Sequence, residues 1–144
     1  MDAFMQEAVE EARKGLAEGG IPIGSVLVRE GKIIGRGHNR RVQKNNPLIH
    51  AEIDCLMDAG RIGNYRDTVL YSTLMPCFLC AGAAVQFGIR TVVVAESRNF
   101  PGARAFMEAH GIEVIDLDQG EWAAFFSTWC REHSTLWDED IGEI

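Results

Sequence analysis

The sequence predicts an α/β fold, a three-layer α/β/α sandwich around a central mixed sheet of about five strands. After an opening helix and a pair of short strand-like runs, strand and helix patterns alternate to the end of the chain. Such alternation favours helices on both faces of a sheet. The chain has 144 residues, 47% of them hydrophobic, which is enough for one substantial core. We therefore expect residues 1–144 to form a single domain.

The first half of the chain contains a helix, a hairpin and a second helix. Apolar residues recur every four positions from Phe4 to Leu16 and predict an amphipathic helix that ends at "EGG". The runs "GSVLVRE" and "KIIGRGH" predict two strands joined at Gly31. The polar stretch "NRRVQKNNP" then predicts a loop, and "IHAEIDCLMDAG" predicts a helix.

The second half predicts three more strands, each followed by a helix. "DTVLYSTLM" and "RTVVVAES" are typical of buried strands, and "IEVIDLD" of a third. Helices are predicted for "CFLCAGAAVQFG", which Pro76 precedes, and for "GARAFMEAHG". We expect one long final helix over "GEWAAFFSTWCREHSTLW" and an acidic tail, "DEDIGEI", that is frayed by default.

Composition and charge argue against a nucleic-acid or membrane partner. The net charge is -7, and the only basic cluster, "RGHNRRVQK", is expected to be a solvated loop. No apolar run approaches the roughly 20 residues that span a bilayer, and the N-terminus lacks the pattern of a signal peptide. We expect a cytoplasmic protein. His38, His110 and His133 are expected to be ordinary surface or capping residues.

Three metal-ligand residues stand where two helices begin. His50 opens one predicted helix, and Cys77 and Cys80 open another at C-x-x-C spacing, which places both sulfurs on one helical face. Two thiolates and one imidazole leave the fourth position of a tetrahedral zinc open, as in a catalytic site. Cys55 and Cys130 lie on apolar helix faces and are expected to be small buried hydrophobic residues.

Glu52 follows His50 by two residues, close enough to transfer protons at such a metal without binding it. Taken alone, an H-x-E pair arises by chance, and a C-x-x-C pair could be a redox pair or two buried thiols. Together, in this order and each at a strand–loop–helix junction, they form the H-x-E…P-C-x-x-C signature of zinc-dependent nucleobase deaminases. The hypothesis is a catalytic zinc with Glu52 as its proton shuttle.

Through "HAE" and "PCFLC" the sequence resembles the cytidine/deoxycytidylate deaminase superfamily. More narrowly, it resembles the fungal-type cytosine deaminases, which act on the free base, in "EGGIPIGSVLV", "LYSTLMPCFLC", "VVVAESRNF" and the ending "LWDEDIGE". The resemblance implies a cytidine deaminase-like fold, one Zn²⁺ per subunit bound by His50, Cys77 and Cys80, a small nucleobase substrate and a homodimer.

The resemblance also implies a substrate pocket. It would be formed by Ile23, Asn39, Ala51, Leu74, Phe100, Trp137, Asp140 and Ile141. Asn39 would bind a carbonyl and a ring N–H, and Asp140 would accept a hydrogen bond from the exocyclic amine. Phe100 would stack on the ring, while Trp137 and Ile141 would close the pocket as a lid. Without the resemblance, Asn39 is equally acceptable in a turn and Asp140 as a solvated charge.

Two departures from the fungal-type pattern leave the substrate open. Ala51 replaces a glycine and Met75 a serine, both beside the metal motif, so we expect a changed pocket volume. The expected substrate is cytosine, isocytosine or a 5-substituted cytosine. The alternatives are guanine, a creatinine-like amino-heterocycle and tRNA adenosine. The negative net charge of the chain disfavours tRNA adenosine. A structural-zinc interaction module would need a fourth protein ligand, and none is evident at motif spacing.

Overall fold

The computed structural model describes residues 2–143. Within them the helices are α1 (Ala3–Ala17), α2 (Ala51–Ala59), α3 (Phe78–Phe87), α4 (Arg104–Ala109), α5 (Gly120–Glu132) and α6 (Ser134–Ile141). The strands are β1 (Gly24–Arg29), β2 (Lys32–His38), β3 (Thr68–Ser72), β4 (Thr91–Val94) and β5 (Glu113–Asp116). No helix in this part of the chain is long and apolar enough to span a membrane.

The described strands form one mixed sheet in the order β2-β1-β3-β4-β5. β1 is antiparallel to both β2 and β3, whereas β3, β4 and β5 run parallel. Helices cover both faces: residues of α2, α3 and α4 share one apolar cluster, and residues of α1 and α5 share another. The predicted three-layer α/β/α sandwich with a five-stranded mixed sheet is confirmed.

Glycines of β1 and β2 allow helices to approach the sheet closely. A Cβ atom on Gly37 of β2 would lie 2.4 Å from the backbone nitrogen of Cys55, and one on Gly24 of β1 would lie 2.0 Å from the carbonyl oxygen of Ala8. Real Cβ atoms are not found at such distances, so any larger residue would push the helix away. Gly37 therefore fixes the position of α2, which begins directly after His50 and carries Glu52 in its first turn.

The end of the chain differs from the expectation. The predicted single final helix breaks at His133, whose backbone (φ -130°, ψ 41°) is not helical, and the expected frayed tail continues as α6. Trp137 and Asp140 of α6 are buried. Burial of an indole ring stabilises the structure by a few kcal/mol, which explains why these residues are ordered.

His38 was expected at the surface, and this prediction is wrong. Its side chain is 4% exposed and lies between two carboxylates, with Nδ1 3.1 Å from Glu11 and Nε2 2.8 Å from Glu18. Hydrogen bonding to Glu11 raises the pKa of His38 despite its burial. Burial would raise the pKa of Glu11, but hydrogen bonds from His38, Lys14 and Arg36 outweigh it and lower that pKa to about 2. The partners are 27 residues apart, beyond the reach of local sequence patterns.

We predict that this pair makes stability depend on pH. The stabilisation from Glu11 is complete above about pH 4.5 and is lost as the pH falls toward 2. That from His38 is complete below about pH 6.5 and is lost as the pH rises through its raised pKa. Glu11→Gln should therefore lower the free energy of unfolding by about 1.5–3 kcal/mol near pH 6, measured by urea denaturation.

The matched control is Glu10→Gln, on the same helix but pairing with Arg13 in solvent. It should leave the free energy of unfolding nearly unchanged at every pH. An equal loss in both variants, or a loss from Glu11→Gln that does not shrink in acid, would contradict this account of the pair.

Candidate active site

The two helices that carry the predicted metal ligands begin next to each other. His50 directly precedes α2 and Cys77 directly precedes α3, each with an extended backbone (ψ 163° and 179°). In the described chain neither side chain caps its own helix, so both are available to a ligand. His50 and Cys77, which were expected to open their helices, each stand one residue before the first helical residue, and Cys80 lies in the first turn of α3.

The three donor atoms form a compact group. His50 Nδ1 lies 3.4 Å from Cys77 Sγ and 3.7 Å from Cys80 Sγ, and all three ligand atoms lie within 4.8 Å of one another. A tetrahedral zinc with ordinary Zn–S and Zn–N bonds requires nitrogen and sulfur about 3.6 Å apart. The residues present therefore fit a zinc ion.

The electrostatics of the group favour a positive charge among the three donors. A hydrogen bond from Cys80, together with His50, lowers the pKa of Cys77 to about 4, whereas the pKa of Cys80 is raised by the Cys77 thiolate and by burial. Burial opposes protonation of His50, but Cys77 and the nearby carboxylates outweigh it and raise its pKa to about 9. The lowered pKa of Cys77 favours its thiolate, which is the metal-binding form of cysteine.

The other two cysteines behave differently. Cys55 is fully buried and burial raises its pKa, and burial raises the pKa of the half-buried Cys130 to about 12. Both are inert thiols. The expectation of a buried residue is confirmed for Cys55, while Cys130 is only partly covered.

Glu52 lies in the first turn of α2 and is 4% exposed. Burial, and then the charge of Cys77, raise the pKa of Glu52 to about 7. A carboxyl group in such a setting can both accept and return a proton near neutral pH.

A small cavity of about 20 Å³ lies beside the donor group. The described residues that line it are Ile23, Asn39, His50, Ala51, Glu52, Leu74, Met75, Cys77, Phe100, Trp137, Asp140 and Ile141. All eight residues predicted for the pocket are among them. Cys80 lies behind this lining, 1% exposed.

Two buried polar side chains meet in the pocket from distant parts of the chain. Asn39 Nδ2 donates to both carboxylate oxygens of Asp140, at 3.4 and 3.3 Å, and Asp140 Oδ1 lies 3.6 Å from His50 Nε2. Asn39 and Asp140 are 1% and 8% exposed. An amide and a carboxylate held together here can recognise a ring that carries both donors and acceptors.

The walls of the pocket are aromatic and aliphatic. Trp137 packs edge-on against Phe100 and Phe126, with ring centroids 6.1 and 5.1 Å apart. Ala51 packs with the same cluster and is fully buried. These side chains supply the apolar surface that surrounds a bound ring in most small-molecule sites.

Met75 lines the pocket but belongs to the apolar core beneath α3 and α4. Its Cγ atom lies where a side chain on Gly102 would have to be, only 2.7 Å from the Cβ position of that residue. Much of the thioether volume is therefore accommodated at Gly102. Of the two departures noted in the sequence, Ala51 is the one whose methyl group packs among the pocket residues.

The sequence patterns missed two groups that organise the pocket. Arg41, in the stretch expected to be a solvated loop, has a side chain only 14% exposed and bonds to Asp140. The fully buried Glu96 accepts hydrogen bonds from the backbone and side chain of Asn99, which orders the loop that carries Phe100. The sequence signal that could have predicted the Arg41 contact is the opposite charge of the basic stretch "RGHNRRVQK" and the acidic ending "DEDIGEI".

Comparisons with known proteins agree with this geometry. A family model described as the cytidine and deoxycytidylate deaminase zinc-binding region matches residues 1–96. The cytosine deaminase of Candida albicans is 38% identical over 142 residues, covering 96% of this chain and 95% of that protein. A tRNA-specific adenosine deaminase of Streptococcus pyogenes is 45% identical over 104 residues, covering 69% of this chain and 65% of that protein.

A solved structure of guanine deaminase from Bacillus subtilis also resembles the chain. It superposes with a TM-score of 0.62 at 29% identity, covering 78% of this chain and 73% of that one. The three similar proteins are all named as deaminases, and they differ in the base named for each.

We predict that the three-residue donor group binds one zinc ion per chain. Cys77→Ser should weaken zinc binding by more than about 100-fold, because removing a ligand costs more than the 10–100-fold typical of a residue behind the ligands. Zinc content after dialysis against a competing chelator, measured by elemental analysis, checks this. Cys130→Ser, which removes a thiol outside the group, should retain one zinc per chain, and equal retention in both variants would contradict the assignment.

Proposed function

The chain belongs to the cytidine and deoxycytidylate deaminase family and is a zinc-dependent hydrolytic deaminase, and we propose that its substrate is a free nucleobase. The base proposed is cytosine, or a close analogue such as isocytosine or a 5-substituted cytosine. Hydrolysis of cytosine consumes one water molecule and gives uracil and ammonia.

The observation that carries this proposal is the position of α6. Trp137, Asp140 and Ile141 of this helix lie beside the donor group and leave a cavity of only about 20 Å³. A free base can be enclosed completely once the surrounding residues have moved to admit it, whereas a nucleoside or a nucleic acid needs an opening that persists during the reaction, because its ribose and backbone extend beyond the base. The similarity to the Candida cytosine deaminase also runs over 96% of the chain, further than the 69% matched by the tRNA-specific enzyme.

His50, Cys77 and Cys80 would hold the zinc ion. When bound there, zinc acts as a Lewis acid that makes water a nucleophile near neutral pH. The positive ends of α2 and α3 lie at the same point and favour the thiolate forms of the cysteines. The chain's own contribution is to fix the donors and to exclude bulk water.

Glu52 would transfer the protons. Its carboxylate accepts a proton from the attacking water and delivers it to the ring nitrogen next to the amino-bearing carbon. A second proton passes through the same carboxyl group to the exocyclic nitrogen, which leaves as ammonia. A buried carboxyl with a pKa near 7 suits both directions of transfer.

Asn39 and Asp140 would orient the ring. Asn39 Oδ1 already accepts a hydrogen bond from the backbone N–H of Arg41, which fixes its amide with Nδ2 toward the pocket. That amide can donate to the pyrimidine carbonyl, while Asp140 accepts from the exocyclic amine. Phe100 and Trp137 would cover the apolar faces of the ring.

Guanine and tRNA adenosine are the rival substrates suggested by the relatives. A purine needs room for a second ring, so the cavity beside Ile141, Trp137 and Phe100 would have to widen further for a purine than for a pyrimidine. A tRNA needs a basic surface, and the net charge of -7 gives the chain the opposite sign. Both features favour the smaller, uncharged base.

We propose further that the chain forms a homodimer through the layer that contains α2 and α3. Met57, Phe78, Leu79 and Phe87 are exposed on these helices, Phe78 to 73% of its surface. Several large apolar side chains on one layer are typical of a protein–protein interface, and a second copy presents the same self-complementary patch.

We predict that Glu52→Gln abolishes turnover and keeps zinc. The amide cannot accept the water proton, so kcat for ammonia release from cytosine should fall by about 10²- to 10⁴-fold or more. Zinc content should remain one per chain. Glu113→Gln, at an exposed position of β5, is the matched control and should behave like the wild type. Retained turnover in Glu52→Gln would refute the assigned role.

We predict that Phe78→Asp disrupts the dimer, because a charge at the centre of an apolar interface is costly. Sedimentation equilibrium should give twice the mass of one chain for the wild type and the mass of one chain for the variant. Phe125→Asp, on α5 in the opposite layer, should remain dimeric. A monomeric wild type would contradict the proposed interface.

A further inference from the structure

Arg41 bonds to Asn39 and to Asp140, the two side chains proposed to orient the ring. Its backbone N–H donates to Asn39 Oδ1 at 2.9 Å, and its side-chain Nε donates to Asp140 Oδ1 at 2.6 Å. One of its terminal nitrogens also donates to Glu139, at 3.1 Å. Asn39 and Asp140 are 101 residues apart, and Arg41 reinforces their direct hydrogen bonds by bonding to both.

We propose that Arg41 is a positioning residue that sets the geometry of Asn39 and Asp140 and holds α6 closed over the pocket. This inference rests on the proposed function, because it assigns to those two side chains the recognition of the base. Arg41 itself lines no part of the pocket and acts through its neighbours.

The charge balance of Asp140 supports this role. Among the described residues, Arg41 and His50 are those within ion-pair distance of its carboxylate. A histidine that binds zinc is neutral, so Arg41 is the cation that compensates the buried charge in the metal-loaded site. Without Arg41, the carboxylate would be more stable in water, and α6 would have to move with it.

The attachment of α6 to the rest of the chain supports the second part of the proposal. α6 follows the non-helical His133, which separates it from α5. On its inner face Trp137 packs against Phe100 and Phe126, which hold it through apolar contact. Asn39 bonds to Asp140 alone, whereas Arg41 bonds to two successive residues of α6, Glu139 and Asp140.

The size of the cavity makes this attachment relevant to turnover. A volume of about 20 Å³ holds about one water molecule, whereas a pyrimidine ring is several times larger. The residues around the cavity must therefore move for a base to enter or uracil to leave. The bonds of Arg41 to α6 oppose that movement and favour the closed form in which Asp140 faces the ring.

The test compares Arg41→Met, Arg41→Lys and Glu139→Gln with the wild type, all zinc-loaded. Arg41→Met should raise KM for cytosine by at least about tenfold, as expected for loss of a charge-assisted hydrogen bond, with a smaller change in kcat. Lysine keeps the charge but not the planar fork, so Arg41→Lys should restore part of the loss. Glu139→Gln removes only the exposed partner and should change KM by less than about threefold.

Hydrogen exchange of the backbone amides gives a readout that does not depend on activity. In Arg41→Met, exchange should accelerate in residues 134–141 and stay at the wild-type rate in the sheet. Arg29→Met is the matched control, because Arg29 also bonds to an aspartate through Nε, at the opposite end of β1 from Ile23. It should leave both KM and the exchange of α6 unchanged.

Unchanged KM and unchanged exchange of α6 in Arg41→Met would overturn the proposal. Faster exchange spread evenly over the whole chain would also overturn it, because that result indicates a general loss of stability. If the wild type releases no ammonia from cytosine, the proposed function fails, and the exchange measurement still decides whether Arg41 holds α6 closed.

Discussion

Helices α2 and α3 begin within hydrogen-bond distance of each other, and the candidate chemistry depends on that meeting. His50 and Cys77 each stand at the last extended residue before a helix, so that one nitrogen and two sulfurs face each other at 3.4 and 3.7 Å. The sheet holds the two helix starts together, since α2 and α3 contribute to one apolar cluster on the same face. A tight approach at Gly37 fixes α2, and with it both His50 and Glu52.

The pocket wall that faces the donor group is built from a different and more distant part of the chain. Trp137 and Asp140 lie on α6, near the C-terminal end of the chain, and this helix covers the donor group. Their burial requires compensation: aromatic neighbours surround the indole, and Arg41 pairs with the carboxylate. Donors fixed at two helix starts, together with a separately attached helix, suit a closed, water-free reaction site that must also open.

The parts of this structure that the sequence predicts are those with short-range causes. His50 with Glu52, and Cys77 with Cys80, lie within one helical turn, so their spacing alone places them together. The alternation of strands and helices likewise follows from local apolar patterns. These local features were sufficient to predict the mixed sheet, the donor group and its zinc ion.

The missed features depend on contacts between distant residues. The break at His133 has no glycine or proline to indicate it and follows from the packing of Trp137 against Phe126. His38 is buried because Glu11, 27 residues away, accepts its hydrogen bond, and Arg41 bonds to Asp140, 99 residues away. Periodicity carries no information on such pairs. The pocket residues were predicted from the family resemblance and not from local sequence patterns.

The most direct test of the account is the substrate preference of the zinc-loaded wild-type chain, measured as kcat/KM for ammonia release from cytosine, from guanine and from an adenosine-containing tRNA stem-loop. The account predicts that cytosine exceeds both others by at least about a thousandfold, since a pocket built around one hydrogen-bonded ring discriminates strongly against others. Faster release from guanine or from the stem-loop would contradict the claim that α6 closes the site around a single free pyrimidine.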